Sequence, residues 1–197
     1  MIAIIDYGAG NLTSVKNALD LIGVESKITC SAKDILAADK VIFPGVGSFG
    51  DVMQALADRK LIEVLKKVIK TKPFLGICLG LQILFDSSEE SPDVKGLGVF
   101  KGKVKKFKVD LKIPQIGWNS IKIMKKIDFV KGVKDGAYFY FVHSYYVVPE
   151  DDSIILTKTD YGGEFVSGIA KDNVLGVQFH PERSGEIGLQ MLKNFVK

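Results

Sequence analysis

The sequence predicts an α/β fold, a parallel sheet flanked by helices with a mixed extension at one side. Three observations predict it. Strand-sized apolar runs alternate with helix-spaced segments through the first half, and strand patterns follow one another through the second. The composition, 47% hydrophobic and 25% charged over 197 residues, suits one soluble globular domain spanning residues 1–197. Strands separated by helices imply βαβ units and therefore parallel pairing.

Ile2 to Asp6 reads as an apolar strand, and Asn11 to Ile22 as a helix through Leu12, Val15, Leu19 and Ile22. Gly23-Val24 turns the chain into a strand over Ser26 to Thr29. Lys40 to Phe43 forms another, stopped by Pro44-Gly45. Val52 to Lys70 has helical spacing with an interruption near Asp58, and Phe74 to Ile77 is the strand that delivers Cys78. In the second half, strands are expected over Ile121 to Met124, Tyr138 to Val142, Tyr145 to Val148, Ile154 to Lys158, Phe165 to Lys171 and Val174 to Gln178. A helix over Gly185 to Val196 follows them. In open α/β sheets, reactive groups gather at the carboxyl ends of strands. Asp6, Gly45, Cys78 and His180 each follow a strand, which places them along one edge.

Several function classes are disfavoured. The net charge of +4 is modest, and its densest part, Lys101 to Lys112, interleaves Val104, Phe107 and Val109. That pattern fits a solvated strand face better than a nucleic-acid surface. No apolar run reaches membrane-spanning length, and Met1 to Asp6 has neither a basic segment nor a cleavage site, so a cytoplasmic location is expected. The two cysteines make no disulfide framework, and Cys30 reads as structural. The two histidines lack the clustered cysteines or carboxylates of a metal site, so no metal is expected, and His143 reads as a satisfied structural residue. Gly8-Ala9-Gly10 lacks the third glycine of a dinucleotide loop, Thr13 standing there, and no phosphate-binding Gly-x-x-x-x-Gly-Lys pattern occurs. No cofactor is expected.

The chemistry-bearing pattern is Gly76-Ile77-Cys78-Leu79-Gly80. A nucleophile between small residues, after a strand and before a helix, describes an elbow whose strained turn the glycines permit. A helix N-terminus favours a thiolate. The thiol needs a base and the base an orienting group; His180 and Glu182, in His180-Pro181-Glu182, supply both. Gly45-Val46-Gly47 after Pro44 reads as a tight turn and also as a loop able to turn a backbone N–H toward an oxyanion, with the Leu79 N–H as the second donor.

These motifs together resemble the class I, triad-type glutamine amidotransferases over nearly the whole chain. The resemblance implies a flavodoxin-like fold with a mostly parallel central sheet and an antiparallel strand extension. Four segments are similar to one branch of that family, the glutaminase subunits of imidazole glycerol phosphate synthases: Asp6 to Asn11, Pro44 to Gly47, Pro114 to Asn119 and Gln178 to Ser184. Val46 replaces the second glycine of the usual Pro-Gly-Gly, as in that branch, whereas Gln115 stands where a histidine is more usual. The resemblance implies hydrolysis of L-glutamine through Cys78, His180 and Glu182, with Gln82, Ser144 and Tyr145 holding the substrate. It implies a (β/α)8-barrel cyclase as partner, docked on Asn11, Trp118, Asn119 and Arg183. That cyclase joins the ammonia to N'-phosphoribulosyl-formimino-AICAR-phosphate, giving imidazole glycerol phosphate and AICAR in histidine biosynthesis. It also implies little glutaminase activity without that partner. The alternatives are the glutaminase of an anthranilate, aminodeoxychorismate or pyridoxal phosphate synthase, a stand-alone γ-glutamyl hydrolase, and a non-catalytic subunit.

Overall fold

The first half contains β1 (Ile2–Ile5), α1 (Leu12–Leu21), β2 (Ser26–Thr29), α2 (Ala32–Ala37), β3 (Lys40–Gly45), α3 (Phe49–Asp58), α4 (Ile62–Thr71), β4 (Phe74–Cys78) and the short α5 (Leu79–Gln82). Then come β5 (Ser87–Ser88), β6 (Gly102–Lys106), β7 (Gln115–Ser120), β8 (Lys122–Ile123), β9 (Tyr138–His143) and β10 (Tyr145–Pro149). β11 (Ile155–Asp160), β12 (Glu164–Lys171), β13 (Val174–Val177) and α6 (Gly185–Val196) complete the order. These elements belong to a computed structural model that describes residues 1–9 and 11–197; Gly10, the last position of the Gly8-Ala9-Gly10 pattern, lies outside the described residues.

The strands run in the order β2-β1-β3-β4-β13-β12-β10-β6-β5, with β11 and then β8 joined to β12. The first five pair in parallel and are the sheet's centre. β12, β10, β6, β11 and β8 extend it by antiparallel pairing. β1 and β4 are buried at every residue, as strands covered on both faces must be. On one face, Ile35 of α2, Val52 and Leu56 of α3 and Leu65 and Val68 of α4 pack on Phe43 and Phe74. On the other, Val15 and Leu19 of α1 meet Met191, Leu192 and Phe195 of α6. Each such side chain removed from water stabilises the fold by roughly 1.5–3 kcal/mol.

The structure revises some expectations. The expected break near Asp58 separates α3 from α4, with Lys60 at a φ of 55°. α3 begins earlier than expected because the Ser48 side chain caps it, accepting from the Asp51 N–H. Strand β7 and helix α2, capped by Ser31, add elements that periodicity did not reveal, whereas β6 lies in the segment read as a solvated strand face. Lys103 and Lys106 of β6 are exposed while Gly102 and Val104 are buried, the alternation of a solvated strand face. Cys30 is exposed, so it is not the packing residue expected. Among the described residues, no helix is long and apolar enough to cross a membrane.

Candidate active site

The site begins with a steric requirement. Cys78 ends β4 at a φ of 56° and a ψ of −110°, and α5 starts at the next residue. A Cβ on Gly80 would lie 2.0 Å from the Phe43 carbonyl oxygen, and one on Gly76 2.4 Å from the Gly80 carbonyl oxygen. The elbow therefore presses against its own strand and against β3 at distances that only hydrogen permits. Gly45 belongs to the same packing, since its Cβ would stand 2.5 Å from that of Leu79. Gly45 shapes the elbow rather than lining the cavity above it.

β13 lies parallel to β4 in the register Gly176↔Gly76 and Val177↔Ile77, so the residues after β13 emerge beside Cys78. The chain bends at Gln178 and Phe179, and the Gln178 and His180 side chains both reach the Cys78 sulfur. The turn is fixed by three hydrogen bonds: the His180 N–H donates to the Tyr140 carbonyl at 2.9 Å, the Ser184 hydroxyl to the His180 carbonyl at 2.6 Å, and the Tyr140 N–H to Ser184 Oγ at 3.0 Å. Pro181–Arg183 forms a 3₁₀ turn that brings Glu182 back onto the ring. His180 Nδ1 lies 2.8 Å from Glu182 Oε1, with side chains only 3% and 1% exposed.

Among the described residues, His180 Nε2 and Glu182 Oε2 are buried without a hydrogen-bond partner. Nε2 is thus free to serve the sulfur and a substrate. Burial disfavours a charged imidazole here, but the neighbouring Cys78 sulfur and then Glu182 favour the proton and push His180 up to about 10. A proton can therefore rest on this ring at neutral pH and be given to a leaving group.

A cavity of about 260 Å³ opens above the sulfur, smaller than the ~300–1,000 Å³ clefts that take drug-sized ligands. It is lined by Val46, Gly47, Cys78, Leu79, Gln82, Ser144, Tyr145 and His180, and also by Glu90, Pro114, Val142 and His143. A larger cavity of about 610 Å³, lined between Ile123 and Asp135, holds neither cysteine nor histidine. Among the described residues, no three His, Cys, Asp or Glu side chains cluster as metal ligands.

Gln82 is 4% exposed and is not a solvated helix residue. Its Nε2 donates to the Tyr145 carbonyl at 3.1 Å and to Gln178 Oε1 at 3.0 Å. His143 is fixed at both nitrogens, Nδ1 lying 2.8 Å from the Tyr145 carbonyl and Nε2 2.9 Å from the Gln115 side-chain amide. Because a carbonyl only accepts, Nδ1 carries the proton, and on the neutral ring Nε2 then accepts, which requires the Gln115 amide to turn its nitrogen rather than Oε1 toward it. Burial holds this ring neutral, lowering His143 to about 4. Gln115, the departure from the usual histidine, is the buried partner of that ring.

The loop opposite the elbow does not match the expectation for Val46. Its N–H donates to the Tyr7 hydroxyl at 2.9 Å, and that hydroxyl donates back to the Val46 carbonyl, also at 2.9 Å. In this conformation the Val46 N–H is engaged away from the cavity and is no oxyanion donor. Gly47, at a φ of 102°, is the loop's hinge-like residue. Leu79 opens α5, so its N–H is one of those a helix leaves without an intrahelical acceptor.

The residues expected at a partner surface lie outside the cavity. Trp118 is 56% exposed, which excludes a core role. β7 and β9 form a two-stranded ribbon in which Trp118 pairs with Tyr140, Ser120 with Tyr138 and Ile116 with Val142. These pairs share the outer face, whereas Phe139 and Phe141 point into the core. The Arg183 guanidinium lies 4.6 Å from the centre of the Tyr140 ring, joining it to this face. Asn119 Nδ2 donates to the Asp160 carbonyl at 2.8 Å, so its amide holds β11 rather than standing free. Asn11 Oδ1 accepts from the Ser14 hydroxyl at 2.7 Å beside the start of α1.

Sequence reasoning missed Tyr7, Glu90 and the inward position of Gln178. Glu90 Oε2 accepts the Phe49 N–H at 2.7 Å and lies on the cavity wall, the side chain there that can pair with an ammonium group.

Comparison with known proteins agrees with this geometry. The sequence model of the family described as glutamine amidotransferase class-I matches residues 3–197. The imidazole glycerol phosphate synthase subunit HisH of Methanocaldococcus jannaschii is 53% identical, over 100% of this chain and 99% of that one. The protein of that name from Aquifex aeolicus is 50% identical over 98% of this chain and 94% of its own. Among solved structures, one described as a glutamine amidotransferase superposes with a TM-score of 0.79 over the full length of both chains at 16% identity. PurLQS from Thermotoga maritima superposes at 0.77, with 22% identity over 99% of this chain and 96% of that one. This chain belongs to the class I glutamine amidotransferase family.

Proposed function

We infer that this chain is the glutaminase subunit of an imidazole glycerol phosphate synthase, hydrolysing glutamine to glutamate and ammonia for use within a synthase complex. The observation that carries this reading is the buried His180–Glu182 pair beside Cys78 at the floor of a cavity sized for an amino acid. Identity near 50% along the whole length to proteins bearing that subunit's name supports the choice of pathway.

The residues divide the chemistry as follows. His180 takes the proton of Cys78, and the sulfur attacks the carboxamide carbon of glutamine. The former carbonyl oxygen becomes an oxyanion that the Leu79 N–H and an N–H of the Val46–Gly47 loop stabilise. His180 passes the proton to the departing nitrogen, the C–N bond breaks, and ammonia leaves a γ-glutamyl thioester. Water then attacks with His180 as base, the C–S bond breaks, and glutamate is released. Glu182 fixes the ring through Nδ1. Glu90 pairs with the substrate's α-ammonium group, and the Ser144–Tyr145 backbone, steadied by Gln82, borders its other end.

The partner in this reading is a (β/α)8-barrel cyclase that receives the ammonia before solvent protonates it. Its docking surface is the outer face of the β7–β9 ribbon. Ile116, Trp118 and Tyr138 are 60%, 56% and 60% exposed there, an aromatic-rich patch of the kind that anchors interfaces. That face runs from Tyr138 to Val142, which lines the cavity, so a docked partner meets the source of ammonia.

The test is Cys78→Ala in the assembled complex. Glutamine-dependent formation of imidazole glycerol phosphate is expected to fall by at least ~10⁵-fold, the scale seen when a nucleophile is removed. Synthesis from added ammonia is expected to persist. Loss of both activities with the complex intact would contradict the reading.

A further inference from the structure

A side-chain amide has two ends that are not interchangeable: the oxygen accepts and the nitrogen donates. Gln82 and Gln178 are 4% and 0% exposed, and their amides meet inside the protein. Gln82 Nε2 donates at 3.1 Å to the Tyr145 carbonyl and at 3.0 Å to Gln178 Oε1. Gln178 Nε2 in turn lies 3.5 Å from Cys78 Sγ.

The Tyr145 carbonyl sets the polarity of this relay. It can only accept, so Gln82 turns its nitrogen toward it. With that nitrogen also facing Gln178, Gln178 presents its oxygen, and its own nitrogen is left aimed at the sulfur. Reversing either amide would oppose two acceptors or two donors, at roughly 1–3 kcal/mol for each buried group left unpaired.

The sulfur thus has two polar neighbours of opposite kind besides His180. The Val142 carbonyl, 3.9 Å away, can only accept, and it interacts favourably while the sulfur carries its proton. The Gln178 amide can only donate, and a donor gains strength as its acceptor becomes charged. We propose that Gln178 is a catalytic residue, the N–H donor that holds the ionised Cys78 sulfur, with Gln82 and the Tyr145 carbonyl as positioning groups that fix its direction. The proposal rests on the reading of Cys78 as the nucleophile. Gln178 moves no proton. It stabilises the sulfur before the C–S bond forms and again when that bond breaks and the electron pair returns to sulfur, while His180 carries the proton in both half-reactions.

The experiment follows alkylation of Cys78 in the full chain by iodoacetamide across pH, read by mass spectrometry of the Cys78 peptide because exposed Cys30 also reacts. The titratable groups around the sulfur are His180 with Glu182 behind it, Tyr7 after β1, His143 at the end of β9 and Glu90 on the cavity wall. All are retained in Gln178→Leu and Gln82→Leu, so those differences isolate the donor, whereas Gln178→Glu adds a carboxyl of its own. Gln178→Leu is expected to move the pH of half-maximal reaction upward by about one unit, the scale of one hydrogen bond to a charged group. Gln178→Glu, which keeps the shape and places a negative charge by the sulfur, is expected to move it further, and Gln82→Leu in the same direction by less. If Gln178→Leu does not fold, Gln178→Glu decides. Profiles that coincide with the parent's in a folded variant would overturn the assignment. Failure of the parent's Cys78 to react with a glutamine-analogue electrophile would instead overturn the nucleophile reading beneath it.

Discussion

Gly45 and Cys78 are direct partners in the register of β3 and β4, yet the segments that follow them, a loop and the helix α5, are held in different ways. Beyond Cys78, α5 is buried at every residue, and the side chains that reach the sulfur from the end of β13 are buried too: Gln178 fully, and His180 and Glu182 nearly so. Beyond Gly45, Val46 is 38% exposed, and its amide is held by the hydroxyl of one residue, Tyr7, which both accepts from it and donates to it. In the proposed reading the nucleophile is built into the core, whereas the segment proposed to supply an oxyanion donor is retained by two hydrogen bonds worth about 1 kcal/mol each. Only the second arrangement can be changed by a docking partner without unfolding the sheet. A pre-formed nucleophile behind a withdrawn oxyanion donor suits a subunit that must not release ammonia when alone.

The largest effect that bears on this contrast belongs to the elbow side. Glu182→Gln keeps the shape but removes a charge that favours the proton on His180. Glutaminase activity of the activated complex is expected to fall by about 10³–10⁴-fold, as in triads that lose their carboxylate. The His180 imidazole, held well above its ordinary 6.5 by Cys78 and then Glu182, is expected to titrate lower in the variant than in the parent. An unchanged titration would separate Glu182 from the ring.

On the loop side, Tyr7→Phe removes the hydroxyl and leaves the ring stacked on Phe43, whose centre lies 5.3 Å away. Burial pushes the Tyr7 phenol up to about 12, so it remains a neutral donor at physiological pH. Freeing the Val46 amide is expected to raise glutamate release by the isolated chain about tenfold, the equivalent of losing one to two hydrogen bonds. A decrease would mean that Tyr7 supports the productive loop rather than the withdrawn one.

A further effect concerns stability rather than turnover. Burial lowers His143 to about 4 from its ordinary 6.5, so the folded state favours the neutral ring. Its contribution is present above pH 6.5 and is lost as pH falls toward and through 4, amounting to on the order of 2–3 kcal/mol. Thermal melting across that range is expected to show a shallower acid loss in His143→Gln than in the parent. Equal slopes would place the acid sensitivity elsewhere.

Much of this was legible before the structure. The glycines around Cys78 pointed to a strained elbow between strand and helix, and His180 with Glu182 two residues on pointed to a base and its orienting group. β7 was not legible as a strand, because Pro114 and Gly117 break the pattern by which strands are read. α2, six residues long, is too short for a helical period to declare itself. Tyr7 and Glu90 escaped for a different reason. Tyr7 acts across 39 positions and Glu90 across 41, and nothing local to either distinguishes it from a core aromatic or a surface carboxylate.

The central claim is that the nucleophile is ready and the oxyanion donor is not. It is tested most directly by glutamate release from glutamine by the purified chain, alone and with the barrel cyclase and its nucleotide ligand. The account predicts slow release alone and a rise of at least ~10²-fold with both, the scale of one oxyanion donor restored. Full activity in the isolated chain would contradict it.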